Sequence, residues 1–214
     1  MLDIVNRRHY VGITVLQSKS LSMCSEKYIV TIGRPSYQKN PLFLVDVING
    51  VHKRHPNVKF YLLGVGFYSP DLELMKKKIA LNGLMDVIVL KEWLDHHQTM
   101  KYVQNSILYL TVSRYEGLPL AVVEAMAMGK CVIASKVVGN VDCVRDRYNG
   151  RVLELKVDEF VDAICELLEK PELLEEYGRN ARKLYEEEFD IRKRIGMLED
   201  VYRKVANKGK STNT

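Results

Sequence analysis

Two glutamates, Glu116 and Glu124, stand in the segment EGLPLAVVEAMAMG, whose other residues are small or apolar. Pro119 suits the first position of a helix, where its missing N–H is not needed, so the second half of the segment is expected to be helical. On that helix Glu124 is the only charge, among Leu120, Ala121, Val122, Val123, Ala125, Met126, Ala127 and Met128. A carboxylate in such company is costly to bury unless something binds it. No polar stripe accompanies it that would mark a solvent-facing side of the helix. Earlier in the chain, GRPSYQKN supplies Gly33, Arg34 and Lys39. Cations of this kind hold phosphate oxygens, and carboxylates accept hydrogen bonds from vicinal hydroxyls.

These residues need elements to bring them together. From residue 27 onward, β-rich runs alternate with helical stretches: KYIVTIG, VKFYLLG, DVIVL, ILYLTV, CVIAS and GRVLEL read as strands. They are almost continuously apolar, as expected of strands covered on both faces. The intervening helices are expected over NPLFLVDVINGVHKR, SPDLELMKKKIALNG, HHQTMKYVQN, the Pro119 segment and VDCVRD. Asn40, and Ser69 or Asp71, stand where N-caps belong, and Gly83 where the second helix should end. Such β-α alternation implies an α/β, doubly wound, Rossmann-like parallel sheet. After residue 156 three helical stretches follow, separated by Pro171 and by the Phe189–Asp190 junction. The expected division is a linker or connecting strand over 1–26, a Rossmann-like domain over 27–190, and a C-terminal helix with a frayed tail over 191–214.

In the commonest doubly wound order the first and fourth strands are neighbours, and ligands bind in the crevice at their carboxyl ends. Gly33, Arg34 and Lys39 leave the first strand; Ser113, Glu116, Gly117 and the Pro119 helix follow the fourth. The two groups are therefore expected to face each other. A helix N-terminus adds free N–H groups and positive potential suited to phosphate, and Gly117 permits close backbone approach. Side chains lean toward the helix N-terminus, so Glu124 can point back to the same ligand. A diphosphate flanked by two hydroxyl-rich rings fits this set, and nucleotide-sugars have that layout. The competing readings are loop charges for Arg34 and Lys39, and an exposed helix position for Glu124.

The stretch SRYEGLPLAVVEAMAMGKCVIASKVVGNVDCVRDRYNGRVLE, with GRPSYQKN, resembles the C-terminal, donor-binding domain of GT-B retaining glycosyltransferases, especially the large family 4. The family's spaced glutamate pair is matched by Glu116 and Glu124, and its arginine-to-lysine loop by Arg34 and Lys39. The resemblance spans about residues 27 to 205. It implies that Arg34 and Lys39 hold the diphosphate and stabilise its departure, that Glu116 binds the donor sugar, and that Glu124 binds the ribose. It places backbone amides around Gly117 and Leu118 near sugar or phosphate, Pro119 and Ser113 among the substrate-binding residues, and the base beside Lys91, Glu92 and Trp93. It implies sugar transfer with retention, without a bound metal or cofactor. The acceptor-binding domain of such enzymes is expected in cis or trans, with a glycan or lipid-linked sugar as acceptor, in polysaccharide or glycolipid synthesis.

Composition agrees. The chain has 214 residues and a mild net charge of +5, compatible with an anionic ligand or membrane surface and demanding no nucleic acid. Apolar runs fall short of the roughly 20 residues a membrane span needs, so a cytoplasmic location is expected, with peripheral association at the inner membrane face open to it. Cys24, Cys131, Cys143 and Cys165 lack metal-like spacing and read as reduced, mostly buried thiols. His96 and His97 read as surface residues. LGVGFYS has Ser69 where a dinucleotide fingerprint needs its third glycine, so Gly64 and Gly66 are expected to make a tight turn. No D-x-D occurs that would hold a divalent ion. In the last helix Ile195, Leu198, Val201, Tyr202 and Val205 form a stripe that would seek a partner surface. The rival functions are a nucleotide-sugar epimerase or a pyridoxal-phosphate phosphorylase of the same fold, and a non-catalytic nucleotide-sugar-binding subunit.

Overall fold

The structure, a computed structural model, describes residues 26–66, 68–192, 195–196, 199–200 and 202–203. Residues 1–25 of the linker expected over 1–26, Cys24 among them, and the stripe residues Leu198, Val201 and Val205 lie outside that set. Six strands form one parallel sheet: β1 (Tyr28–Ile32), β2 (Lys59–Leu63), β3 (Ile88–Lys91), β4 (Tyr109–Thr111), β5 (Val132–Ser135) and β6 (Gly150–Leu153). Their order is β3-β2-β1-β4-β5-β6, with Val30 beside Tyr109 where β1 meets β4. The chain order of the strands reverses between β1 and β4, so the crevice opens there.

Side chains alternate between the faces of the sheet, and each face has its own core. Ile29, Phe60, Leu62, Leu110 and Ile133 pack beneath α1 (Pro41–Arg54), α2 (Leu72–Leu81) and α6 (Val157–Glu169). Tyr28, Val30, Tyr109, Val132 and Ala134 pack beneath α3 (His96–Asn105), α4 (Leu120–Ala127) and α7 (Pro171–Leu184). Helices cover both faces, which is why the strands are mostly apolar.

Several ends differ from the sequence expectation. Pro119 is the N-cap of α4 rather than its first helical residue. Asn40 precedes α1 but adopts a left-handed conformation, φ 55°, and its side chain caps nothing; asparagine tolerates that region better than most residues. Neither Ser69 nor Asp71 caps α2 through its side chain, Asp71 being the N-cap by position. Gly83 ends α2 with φ 67°, as placed. Asp95 caps α3 in a full capping box with Gln98. The short helix α5 spans Val138–Cys143, earlier than VDCVRD, because Val141 N–H reaches the Val137 carbonyl at 3.0 Å. The stretch after Pro171 is α7 followed by a π-helical turn, Tyr185–Phe189, which ends before Asp190. Cys131, Cys143 and Cys165 are buried and free; burial pushes the Cys131 thiol up to about 12.

Candidate functional site

The loops that leave β1 and β4 are joined. Arg114 N–H donates to the Gln38 carbonyl at 2.8 Å. Gln38 Nε2 donates to the Tyr115 carbonyl at 3.1 Å and approaches Glu116 Oε2 at 3.4 Å. The Arg114 guanidinium lies over the Tyr37 ring, 4.6 Å from its centroid. Across this seam Lys39 Nζ donates to Glu116 Oε1 at 2.6 Å, with side-chain exposures of 30% and 8%. A carboxylate that buried needs a cation beside it.

Gly33 makes room for that lysine. Its φ is 149°, and a Cβ added there would stand 3.0 Å from Lys39 Cε. The aliphatic stem of Lys39 therefore lies flat across the glycine and delivers the ammonium to the crevice. Arg34 is exposed and borders the same small cavity as Gly33, Lys39 and Thr111. Among the described residues it makes no ion pair. So Lys39 meets Glu116 where β1 and β4 are neighbours, and Arg34 borders the cavity that Lys39 also lines.

Behind the β4–α4 loop stands a buried polar lattice. Ser113 is fully buried; its carbonyl accepts from Ser135 Oγ at 2.6 Å, and its hydroxyl pairs with Thr111 Oγ1 at 3.2 Å. The side chain of Ser113, expected among ligand contacts, is thus turned inward, where it supports the loop. Asn140 Nδ2 donates to the Ser135 carbonyl at 2.9 Å, and Gly139 N–H donates to the Glu116 carbonyl at 3.2 Å. A Cβ on Gly139 would sit 1.8 Å from the Gly117 carbonyl oxygen, so α5 and the Glu116–Gly117 backbone can meet only through a glycine. A Cβ on Gly117 itself would meet no protein atom within 4 Å. Leu118 is exposed and Pro119 buried.

Glu124 projects from α4 with 26% of its side chain exposed, and its Oε1 lies 2.9 Å from His96 Nε2. His96 and His97 are exposed, as expected; what the sequence did not show is that His96 also meets Glu124. Tyr109, fully buried on β4, feels both acids: burial raises its phenol well above the usual range, and the charges of Glu116 and Glu124 raise it further. At the end of β3, the Lys91 carbonyl accepts from Gly64 N–H and Val65 N–H, each at 3.1 Å. Gly64 has φ 83°, the tight turn expected. Glu92 and Trp93 are exposed, and the Trp93 indole lies on Gly66, where a Cβ would clash with it. Among the described residues no group of three or more His, Cys, Asp or Glu is arranged to hold a metal ion, and no helix is long and apolar enough to cross a membrane.

His96, Gln38 and Gly139 were not assigned to the site from sequence. The D-x-x-Q of Asp95 and Gln98 could have found the first, since it fixes the start of α3 at the carboxyl end of the sheet. Nothing local announces the other two, because each is defined by a partner about a chain-third away or by a backbone contact.

A family model described as glycosyl transferases group 1 matches residues 15–184. The match begins inside the segment read above as a linker. A UDP-Gal:alpha-D-GlcNAc-diphosphoundecaprenol alpha-1,3-galactosyltransferase of Escherichia coli is 26% identical over 199 residues, covering 87% of this chain and 48% of the relative. The chain spans about half the length of the curated relatives it matches first. TarM of S. aureus, solved with fondaparinux, alpha-GlcNAc-glycerol and UDP, superposes with a TM-score of 0.76 at 26% identity, covering 83% of this chain and 36% of that one. The C-terminal domain of a group 1 family protein, LpcC of Francisella tularensis, shares the fold, with a TM-score of 0.70 at 22% identity; 78% of this chain and 88% of that domain are covered.

Proposed function

Because the chain belongs to the glycosyl transferases of group 1, with the GT-B fold of their C-terminal domains, we propose that it is the donor-binding half of a retaining glycosyltransferase. One observation carries this reading: Lys39 and Glu116, from loops on neighbouring strands, meet at 2.6 Å beside a helix that bears Glu124. A nucleoside diphosphate sugar laid across that seam presents its diphosphate to Lys39 and Arg34, its sugar to Glu116, and its ribose to Glu124. The base lies toward Lys91, Glu92 and Trp93, and the Gly117–Pro119 backbone faces the sugar or phosphate. When the bond between the anomeric carbon and the diphosphate breaks, negative charge collects on the departing phosphate. Lys39, held in place by Glu116, and Arg34 lower that barrier without a metal or cofactor, and charge placed at a departing group is a large part of catalysis. The UDP bound to TarM and the UDP-galactose in the name of the E. coli relative support a uridine donor as the first to test.

The acceptor, a glycan or lipid-linked sugar, is to be bound by a second domain in cis or trans. Exposed Tyr37, Tyr68, Trp93, Tyr115, Leu118 and Leu120 stand on the loops and the helix start at the carboxyl end of the sheet. An apolar rim around a polar crevice favours a covering surface there. A lipid-linked acceptor would place the protein in the cytoplasm at the membrane face. The reading is tested by titrating UDP-sugars in the presence of EDTA: saturable binding by the wild type and its loss in Lys39→Ala are expected. Binding that requires a divalent ion would remove the metal-free mechanism. The stereochemistry of transfer, read by NMR on the full two-domain enzyme, tests retention.

A further inference from the structure

Glu124 is held by a partner whose role is not yet explained. His96 Nε2 lies 2.9 Å from Glu124 Oε1. A carboxylate only accepts, so Nε2 carries the hydrogen and donates, in the neutral tautomer as in the cation. The ring is placed by a rigid start to α3. Asp95 Oδ1 accepts from Gln98 N–H at 2.7 Å, and Gln98 Oε1 accepts from Asp95 N–H at 3.2 Å. His96 is the first residue inside that box. Side-chain exposures of 43% for His96 and 26% for Glu124 leave the pair wet enough that it adds little to stability. What the contact does change is direction. A glutamate on a helix has several rotamers open to it, and this one is fixed by one oxygen. Among the described residues the other oxygen, Oε2, has no hydrogen bond.

The geometry points to His96 as a positioning residue for the donor: it pins Oε1 so that Oε2 faces the vicinal hydroxyls of the ribose. This rests on the assignment of Glu124 to the ribose made above. Ordering the carboxylate before the ligand arrives removes part of the entropy cost of binding.

The test is calorimetric titration with UDP, GDP and ADP, each beside its 2′,3′-dideoxy counterpart. The proteins are wild type, His96→Ala, His96→Gln, Glu124→Ala and the double variant. The readout is the ratio of ribo to dideoxy affinity. Wild type is expected to favour the ribo form about tenfold or more, and Glu124→Ala to abolish the preference. His96→Ala should lower the ratio by about three- to tenfold. His96→Gln, whose amide nitrogen can donate from near the position of Nε2, should restore most of it. In the Glu124→Ala background, removing His96 should change nothing. An undiminished ratio in His96→Ala overturns the role of His96 and leaves the ribose assignment standing. No preference in wild type, or a preference that survives Glu124→Ala, overturns the ribose assignment and this inference with it, as does failure to bind all three nucleotides.

Discussion

Lys39 and Glu116 each make the other tolerable. The lysine is the only cation the described structure places on that carboxylate, so its removal has two consequences. In Lys39→Ala the buried Glu116 loses its charge partner, and stability should fall by about 1–3 kcal/mol, measured by urea denaturation. The affinity for a nucleoside diphosphate should fall at least about tenfold, since a charge-assisted phosphate contact is lost. Glu116→Gln keeps an acceptor beside Lys39 and removes the buried charge, so its stability should change less. If both variants lose stability equally, the charge of Glu116 is not what Lys39 compensates. The sequence showed these two residues and Glu124 because their charge is conspicuous in apolar surroundings. It did not show His96, whose neighbour in space lies 28 positions onward on another helix.

At the scale of elements, the position of the site depends on how α5 abuts the β4–α4 loop. Gly139 and Gly117 give opposite expectations from the same chemical change. Gly139→Ala drives a Cβ into the Gly117 carbonyl oxygen, 1.8 Å away, so either α5 or the loop must move. Stability should drop by about 1–3 kcal/mol, and donor affinity should drop with it because Glu116 moves too. Gly117→Ala meets no protein atom within 4 Å; its melting temperature should stay within a degree or two of wild type while donor affinity falls. Thermal denaturation and titration of the pair decide this. Equal affinity in Gly117→Ala and wild type would mean that no ligand approaches that backbone. The strands and most helices were legible because burial on two faces imposes a simple apolar pattern. The α4 and α5 boundaries were not, since they are set by capping and backbone contacts rather than by hydrophobic period.

At the scale of the whole molecule, one partly buried cation lies apart from the crevice. Lys130, just before β5, donates from Nζ to the Ser106 carbonyl at 2.8 Å at the end of α3. Burial lowers its ammonium to about 8 from an ordinary value of 10.5. Between those values the unfolded chain binds the proton and the folded chain releases it, so stability from this group rises with pH across that window. The rise should total on the order of 3 kcal/mol at most. Burial raises the Cys143 thiol to about 11, which acts in the opposite direction above pH 9. The useful quantity is therefore the stability difference between wild type and Lys130→Met. That difference should shift in favour of wild type from pH 8 to pH 10; a flat difference would mean that Lys130 is solvated in the folded state.

Residue types and spacing alone determined the α/β class, the strand order to expect, and that the loops after β1 and β4 face each other at a crevice. They could do so because a two-sided parallel sheet has few allowed windings, and its strand order fixes which loops are neighbours. Tertiary structure alone decided that Lys39 is paired with Glu116, that Ser113 faces inward, that His96 holds Glu124, and that Gly139 admits the Gly117 carbonyl. Each is a contact between segments separated along the chain. Sequence period records which way a side chain faces its own sheet, but not which atom of a distant loop stands opposite.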